Sequence, residues 1–182
     1  MATEGNGSTG ETVAWPSLQK ALVDDLIARD CINDARVEAA FRAVPRHLFL
    51  PGVPVDQAYK DAAITTKQEG DKPISSGSQP AVVAMMLEQL GLQPGQRVLE
   101  IGAGTGYNAA LMAQIIGSKG AVDTVDIDED IVEQARKNLA AAGVQGVHAV
   151  CDDGGFGYPP GAPYDRIILT VGTGAHRPWQ MA

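Results

Sequence analysis

The residues whose types and spacing carry the most chemistry lie in VLEIGAGTGYN, residues 98–108. There an acid, Glu100, precedes three glycines, Gly102, Gly104 and Gly106. A glycine turn after a strand lets backbone N–H groups approach a ligand closely. The dinucleotide fingerprint is G-x-G-x-x-G. Here the spacing is G-x-G-x-G followed by Tyr107, so the third glycine comes one residue early. A carboxylate at Glu100 would repel a pyrophosphate and attract the cationic end of an amino-acid-bearing cofactor. Asp126 follows about 20 residues past the turn, where an acid accepts from a ribose diol. It suits both a nicotinamide dinucleotide and S-adenosylmethionine. Glu100 and the early glycine separate the two and favour S-adenosylmethionine. Asp153-Gly154 adds an acid where an adenine amino group would lie, although alone such a pair signals only a turn.

These groups need strand ends and helix starts to hold them. RVLEI (97–101), AVDTVDI (121–127), GVHAVC (146–151) and DRIILTV (165–171) read as short buried strands. NAALMAQII and DEDIVEQARKNLAAAG read as the helices between them. In the second, Asp128 is a cap, Glu129 and Asp130 suit the positive end, and Gly143 is a stop. The alternation predicts an α/β fold: a Rossmann-like, doubly wound, mostly parallel sheet with helices on both faces. Upstream, QPAVVAMMLEQL starts with Pro80 at a first helical position and is apolar nearly all round, as a buried helix would be. Met85 and Met86 read as core packing. LQKALVDDLIARD and DARVEAAFRAV are two further helices, and the proline-rich RHLFLPGVPVDQAY is an irregular connection. Residues 15–75 are therefore expected to form an N-terminal helical cap without a sheet, and 76–182 the cofactor-binding domain. Residues 1–14 are expected to be a disordered tail.

Composition narrows the function. Asp and Glu number 22 against 14 Lys and Arg, a net charge of −8 with no basic run, which disfavours a nucleic-acid partner. Cys31 and Cys151 form no CxxC pair and read as buried free thiols of a reducing compartment. The N-terminus has no basic head or apolar run, and no stretch is long enough to span a bilayer, so a cytoplasmic protein without a membrane partner is expected. His47, His148 and His176 lack ligand spacing, so no metal site is expected.

The motifs VPRHLFLP, AYKD, SQP before an apolar helix, RVLEIGAGTGYNAALMA, DDG and APYDRIILTV, in this order, resemble the protein-L-isoaspartate (D-aspartate) O-methyltransferases from about Leu18 to Gly172. LEIGAGTG alone marks only a methyltransferase; the order and spacing with SQP and APYDRII make the likeness specific. The wording is most similar to members that modify ribosomally made peptides. The resemblance implies methyl transfer from S-adenosylmethionine to the carboxylate of an isoaspartyl residue in a damaged protein or peptide, a repair activity. It puts the functional serine at Ser78, and cofactor contacts at Ser76, Gly77, Ser78 and Gln79, at Gly102, Ala103, Gly104, Thr105 and Gly106, at Asp126 with Ile127, and at Asp153 with Gly154. Gly77 stands where the family has isoleucine, and Asp152 where it has glycine. The sequence LTVGTG replaces the Asn/Asp-Pro-Pro-aromatic motif of base-modifying amino methyltransferases.

A carboxylate acceptor is already ionised at neutral pH and needs no strong base. The task is to hold two groups in line and exclude water. A neutral Ser78 hydroxyl would orient one carboxylate oxygen without quenching the nucleophile. A serine just before a helix can also be only a cap. Four strands are legible where this fold has seven, which leaves Ile167, Ile168 and Leu169 on an unprotected edge. A shortened chain is therefore expected, one that binds cofactor weakly, self-associates and lacks full activity. The alternatives are an aspartate of a dedicated precursor peptide as acceptor, or a catalytically incomplete domain that only binds cofactor.

Overall fold

The computed structural model describes residues 14–171. Apart from Ala14, the tail expected over 1–14 lies outside the described residues, as does His176.

Two helices open the fold, α1 (Trp15–Ala28) and α2 (Ala35–Ala43). The Asp34 side chain caps α2 by accepting from the Arg36 N–H (2.7 Å). The proline-rich connection holds a single turn at Arg46–Phe49 and a short helix, α3 (Val55–Ala58). An antiparallel hairpin follows, β1 (Ile64–Glu69) and β2 (Lys72–Gly77), turning at Gly70. The cap is therefore not purely helical as expected. ITTKQE and KPISSG put little apolar surface on either face, so the alternation that signals a strand is absent. Pairing holds the hairpin together, and Lys67 ties it to Asp128.

The remaining elements run as read: α4 (Pro80–Leu90), β3 (Arg97–Ile101), α5 (Tyr107–Ile116), β4 (Ala121–Asp126), α6 (Glu129–Ala141), β5 (Val147–Cys151) and β6 (Arg166–Leu169). The four later strands form a parallel sheet in the order β5-β4-β3-β6. Steps from β3 to β4 to β5 all go one way, so right-handed crossovers set α5 and α6 on one face. The period of two then sorts the side chains. Val98, Val122 and Ala149 join one large cluster with Leu111 and Met112 of α5 and Val132 of α6. Leu99, Ile101 and Val125 face the other way, against Val150, Tyr158, Tyr164 and Leu169. Among the described residues, that second face is covered by the 152–165 connection with its two single turns, Gly154–Phe156 and Pro159–Gly161.

Leu22 and Phe41 from the first two helices and Phe49 from the connection belong to the same cluster as Val98 and Leu111. The cap and the sheet thus share one core. Two expectations about single residues change. Cys31 is buried, but Cys151 is exposed at the end of β5. Met85 is 44% exposed and Val82 41%, so α4 is not buried all round. β6 is an edge strand among the described residues, with Ile167 exposed, Ile168 buried and Leu169 between. No helix among the described residues is long and apolar enough to cross a membrane.

Candidate active site

The chain leaves β3 on one side for β4 and returns on the other as β6. Such a switch point opens a crevice beyond the strand C-termini. A cavity of about 600 Å³ lies there, walled by Gly102–Thr105 after β3, Asp126–Asp128 after β4 and Leu169–Val171 after β6. The hairpin residues Ile74–Ser76, with Ser78 and helix α4, close its remaining side. A second cavity of about 370 Å³ adjoins it between the hairpin, Phe49–Val53 and α6.

Gly102, Gly104 and Gly106 all take positive φ, at 104°, 50° and 83°. A Cβ on Gly102 would run into Val171 and Thr170 Oγ1. One on Gly106 would press on Leu139 and Ala135 of α6, so that glycine serves helix packing and is not on the cavity wall. Its early place in the motif follows, since α5 begins at the next residue, Tyr107.

Glu100 is 1% exposed, at the cavity floor. Thr124 Oγ1 donates to its Oε2 (2.6 Å) and Asn108 Nδ2 to its Oε1 (2.7 Å). Burial pushes its pKa up to about 7, although those hydrogen bonds favour the ionised form. The acid is therefore sunk beneath the wall and not open to solvent. Asn108 was not singled out from the sequence, yet its Oδ1 is the one buried side-chain polar atom without a partner among the described residues. The only available signal was its position in the first turn of the helix that follows the glycine turn. A carboxylate offers about four acceptor positions, and Glu100 uses two within the protein. This corner is thus rich in acceptors and short of donors, which suits a bound ammonium group and not a phosphate.

Asp126 lies half-buried at the rim, with its Oδ1 accepting from Asp128 N–H (3.2 Å) and Oδ2 facing Gly104 N–H (3.5 Å). Beside it, Ile127 is 75% exposed, an apolar side chain at the cavity wall. Register pairs Asp126 with Cys151, so Asp152, Asp153 and Gly154 follow one strand over. Asp153 caps the turn there, accepting from Gly155 N–H (2.9 Å). A Cβ on Gly154 would strike Ile101 (2.6 Å). Neither residue lines the cavity.

Ser76 and Ser78 line the cavity; Gly77 and Gln79 do not. Gly77 is buried because Leu50 occupies the space its Cβ would take, 2.7 Å away, which explains the missing isoleucine. Gln79 Nε2 points to Asp61 Oδ2 (3.1 Å). Gln79, not Ser78, is the residue at the α4 start, and no side chain of its own caps it. Asp61 of AYKD does that work from a distance, accepting from Ala81 N–H (2.9 Å) and pairing with Arg29 (2.9 Å). Burial alone would raise its pKa, but the Ala81 N–H, Arg29 and Gln79 together hold it below the ordinary carboxylate value. Ser78 is thus not spent on capping.

Other candidates resolve into structure. His47 Nδ1 meets Tyr59 Oη (2.7 Å), with burial lowering its pKa. His148 Nδ1 meets Asp123 Oδ1 (3.2 Å). No group of three or more metal-ligating side chains occurs among the described residues.

The sheet order, the switch-point cavity and the acid-and-glycine turn define a Rossmann-like α/β protein of the methyltransferase class. The model of one family, protein-L-isoaspartate(D-aspartate) O-methyltransferase, matches residues 17–178. A Thermotoga maritima protein-L-isoaspartate O-methyltransferase is 42% identical over 163 residues, 89% of this chain and 48% of its own length. One from Methanoculleus marisnigri is 43% identical over 156 residues, 84% of this chain and 66% of its own. A solved protein-L-isoaspartate O-methyltransferase superposes with a TM-score of 0.77 at 38% identity, over 85% of this chain and 48% of that one. The chain belongs to the protein-L-isoaspartate (D-aspartate) O-methyltransferase family. It spans about half to two thirds of the length of these relatives.

Proposed function

We propose that this chain carries the S-adenosylmethionine site of a protein carboxyl methyltransferase acting on isoaspartyl residues of damaged proteins or peptides. The observation that carries the reading is the donor-poor corner at Glu100 and Asn108, set beside a ribose-type acid in a family of methyltransferases. When bound, the cofactor supplies an electrophilic methyl that passes to a carboxylate oxygen as the C–S bond breaks, with its electron pair left on sulfur. No proton moves in that transfer, and among the described residues the cavity wall holds no histidine or lysine.

The chain's own residues bind and orient. Glu100 and Asn108 take the ammonium end, Asp126 the ribose diol, and the exposed side chain of Ile127 the adenine. Ser76, Gly102, Ala103, Gly104 and Thr105 line the path between. Gly77, Gln79, Gly106, Asp153 and Gly154 support this wall from behind or beside it. The Ser78 hydroxyl donates to the acceptor oxygen that does not attack. The negative net charge and, among the described residues, the lack of a basic wall argue against a nucleic-acid acceptor. Calorimetry with S-adenosylhomocysteine and with NAD tests the cofactor: binding of NAD alone overturns the reading. Transfer of labelled methyl to an isoaspartyl peptide, giving a base-labile product, tests the reaction. Transfer to an aspartyl peptide but not the isoaspartyl one moves the acceptor to a dedicated substrate.

A further inference from the structure

The proposed acceptor is an anion, yet among the described residues the cavity wall carries the carboxyl groups of Glu100, Asp126 and Asp128 and no cationic side chain. Lys67, nearby, is already committed to Asp128 (2.6 Å) and Asp130 (3.1 Å). One cation lies just behind the wall. Arg46, in the VPRHLFLP motif, is 1% exposed. Its Nε donates to the Ala58 carbonyl (2.9 Å), and one terminal nitrogen donates to the carbonyls of Ser78 (2.9 Å) and Gly77 (3.5 Å). Its guanidinium carbon lies 5.1 Å from the centre of the Tyr107 ring. Among the described residues it makes no ion pair with a carboxylate.

A buried charge is costly, and neutral carbonyls and a ring face only partly offset that cost. The charge is therefore only partly offset, by these groups and by the field of the Asp61 carboxylate, and two of the groups it touches, Ser78 and Tyr107, are wall residues. We propose that Arg46 is the positioning residue of the acceptor site: it fixes the Gly77–Ser78 turn that presents the serine hydroxyl, and its charge draws a carboxylate to a wall whose charged groups among the described residues are acids. This rests on the carboxyl methyltransferase reading. The planar fork explains the choice of arginine, since one guanidinium reaches Ala58 on one side and the Ser78 turn on the other.

The test compares two peptides in excess S-adenosylhomocysteine, which lacks the sulfonium charge: an isoaspartyl peptide and its neutral methyl ester. The measured quantity is the ratio of their dissociation constants by calorimetry. The wild type prefers the acid, and Arg46→Met lowers that preference on the order of tenfold, as expected for one unit charge acting through protein. Its affinity for S-adenosylhomocysteine stays within about twofold, because Arg46 does not line the cavity. If acid and ester weaken by the same factor, the role is only structural and the proposal falls. Should Arg46→Met show no cooperative unfolding, Arg46→Lys decides: with the charge kept, the preference survives while kcat drops. Loss of the preference in Arg46→Lys overturns the proposal. A wild type that binds the cofactor product but does not distinguish the peptides sinks this inference alone. One that binds neither the cofactor product nor the peptides sinks the carboxyl methyltransferase reading.

Discussion

Glu100→Gln separates what the fold tolerates from what the site needs. The Glu100 carboxyl is raised from 4.5 to about 7 by burial, which amounts to about 3 kcal/mol at roughly 1.4 kcal/mol per tenfold. Between these two pH values the folded protein keeps a proton that the unfolded chain gives up. Stability from this group is therefore full below the lower value, falls as pH rises through the window, and is least above about pH 7. Glutamine has the same shape and no charge. The variant is expected to be more stable than the wild type at about pH 8, by up to the same ~3 kcal/mol, and equal to it at about pH 4.5. One misdirected amide hydrogen bond would trim the gain. Urea unfolding of both proteins across this range measures the difference, which cancels the titrating groups that do not interact with Glu100. Cofactor binding should move the opposite way. An ammonium beside Glu100 favours its ionised form, so S-adenosylhomocysteine binds the wild type more tightly as pH passes 7 and releases a proton there, while the variant binds weakly at every pH. A stability difference that stays flat with pH, or a variant that binds as well as the wild type, refutes the reasoning.

Three further outcomes follow from individual contacts. Ser78→Ala is expected to lower turnover about ten- to a hundredfold, the worth of a hydrogen bond to a charged group, with the calorimetric affinity for S-adenosylhomocysteine unchanged. Gly161→Ala would drive a methyl group into Asp123 Oδ2 and the Tyr164 hydroxyl, which hold the 152–165 connection to β4. Urea unfolding should show a loss of about 1–3 kcal/mol, as for other overpacked sites. Lys67→Ala releases the hairpin from Asp128 and Asp130. Since these charges are only partly buried, the thermal midpoint should hardly move, while hydrogen exchange in β1 and β2 rises.

The parallel sheet was legible because each strand and helix carries its own local signal. RVLEI is a short β-rich run before a turn, and Asp128 and Gly143 bound α6 as a cap and a stop. The acid-and-glycine turn and Asp126 were legible for the same reason, since a strand end is a place the chain itself marks. The hairpin was not, because polar strands held by pairing leave no periodic trace. Neither was the role of α4, whose apolar residues look the same whether they face a core or, like Val82 and Met86, a cavity.

The sequence by itself determined the order of the elements, the glycine turn and the acids at the strand ends, since these depend on neighbours within a few residues. Only the tertiary structure decided that Glu100 is sunk and half-neutralised, that Asn108 is left without a donor, and that Arg46 reaches Ser78 from 32 residues away. Desolvation and the matching of donors to acceptors are set by what packs around a group from every direction, and that environment is assembled from distant parts of the chain.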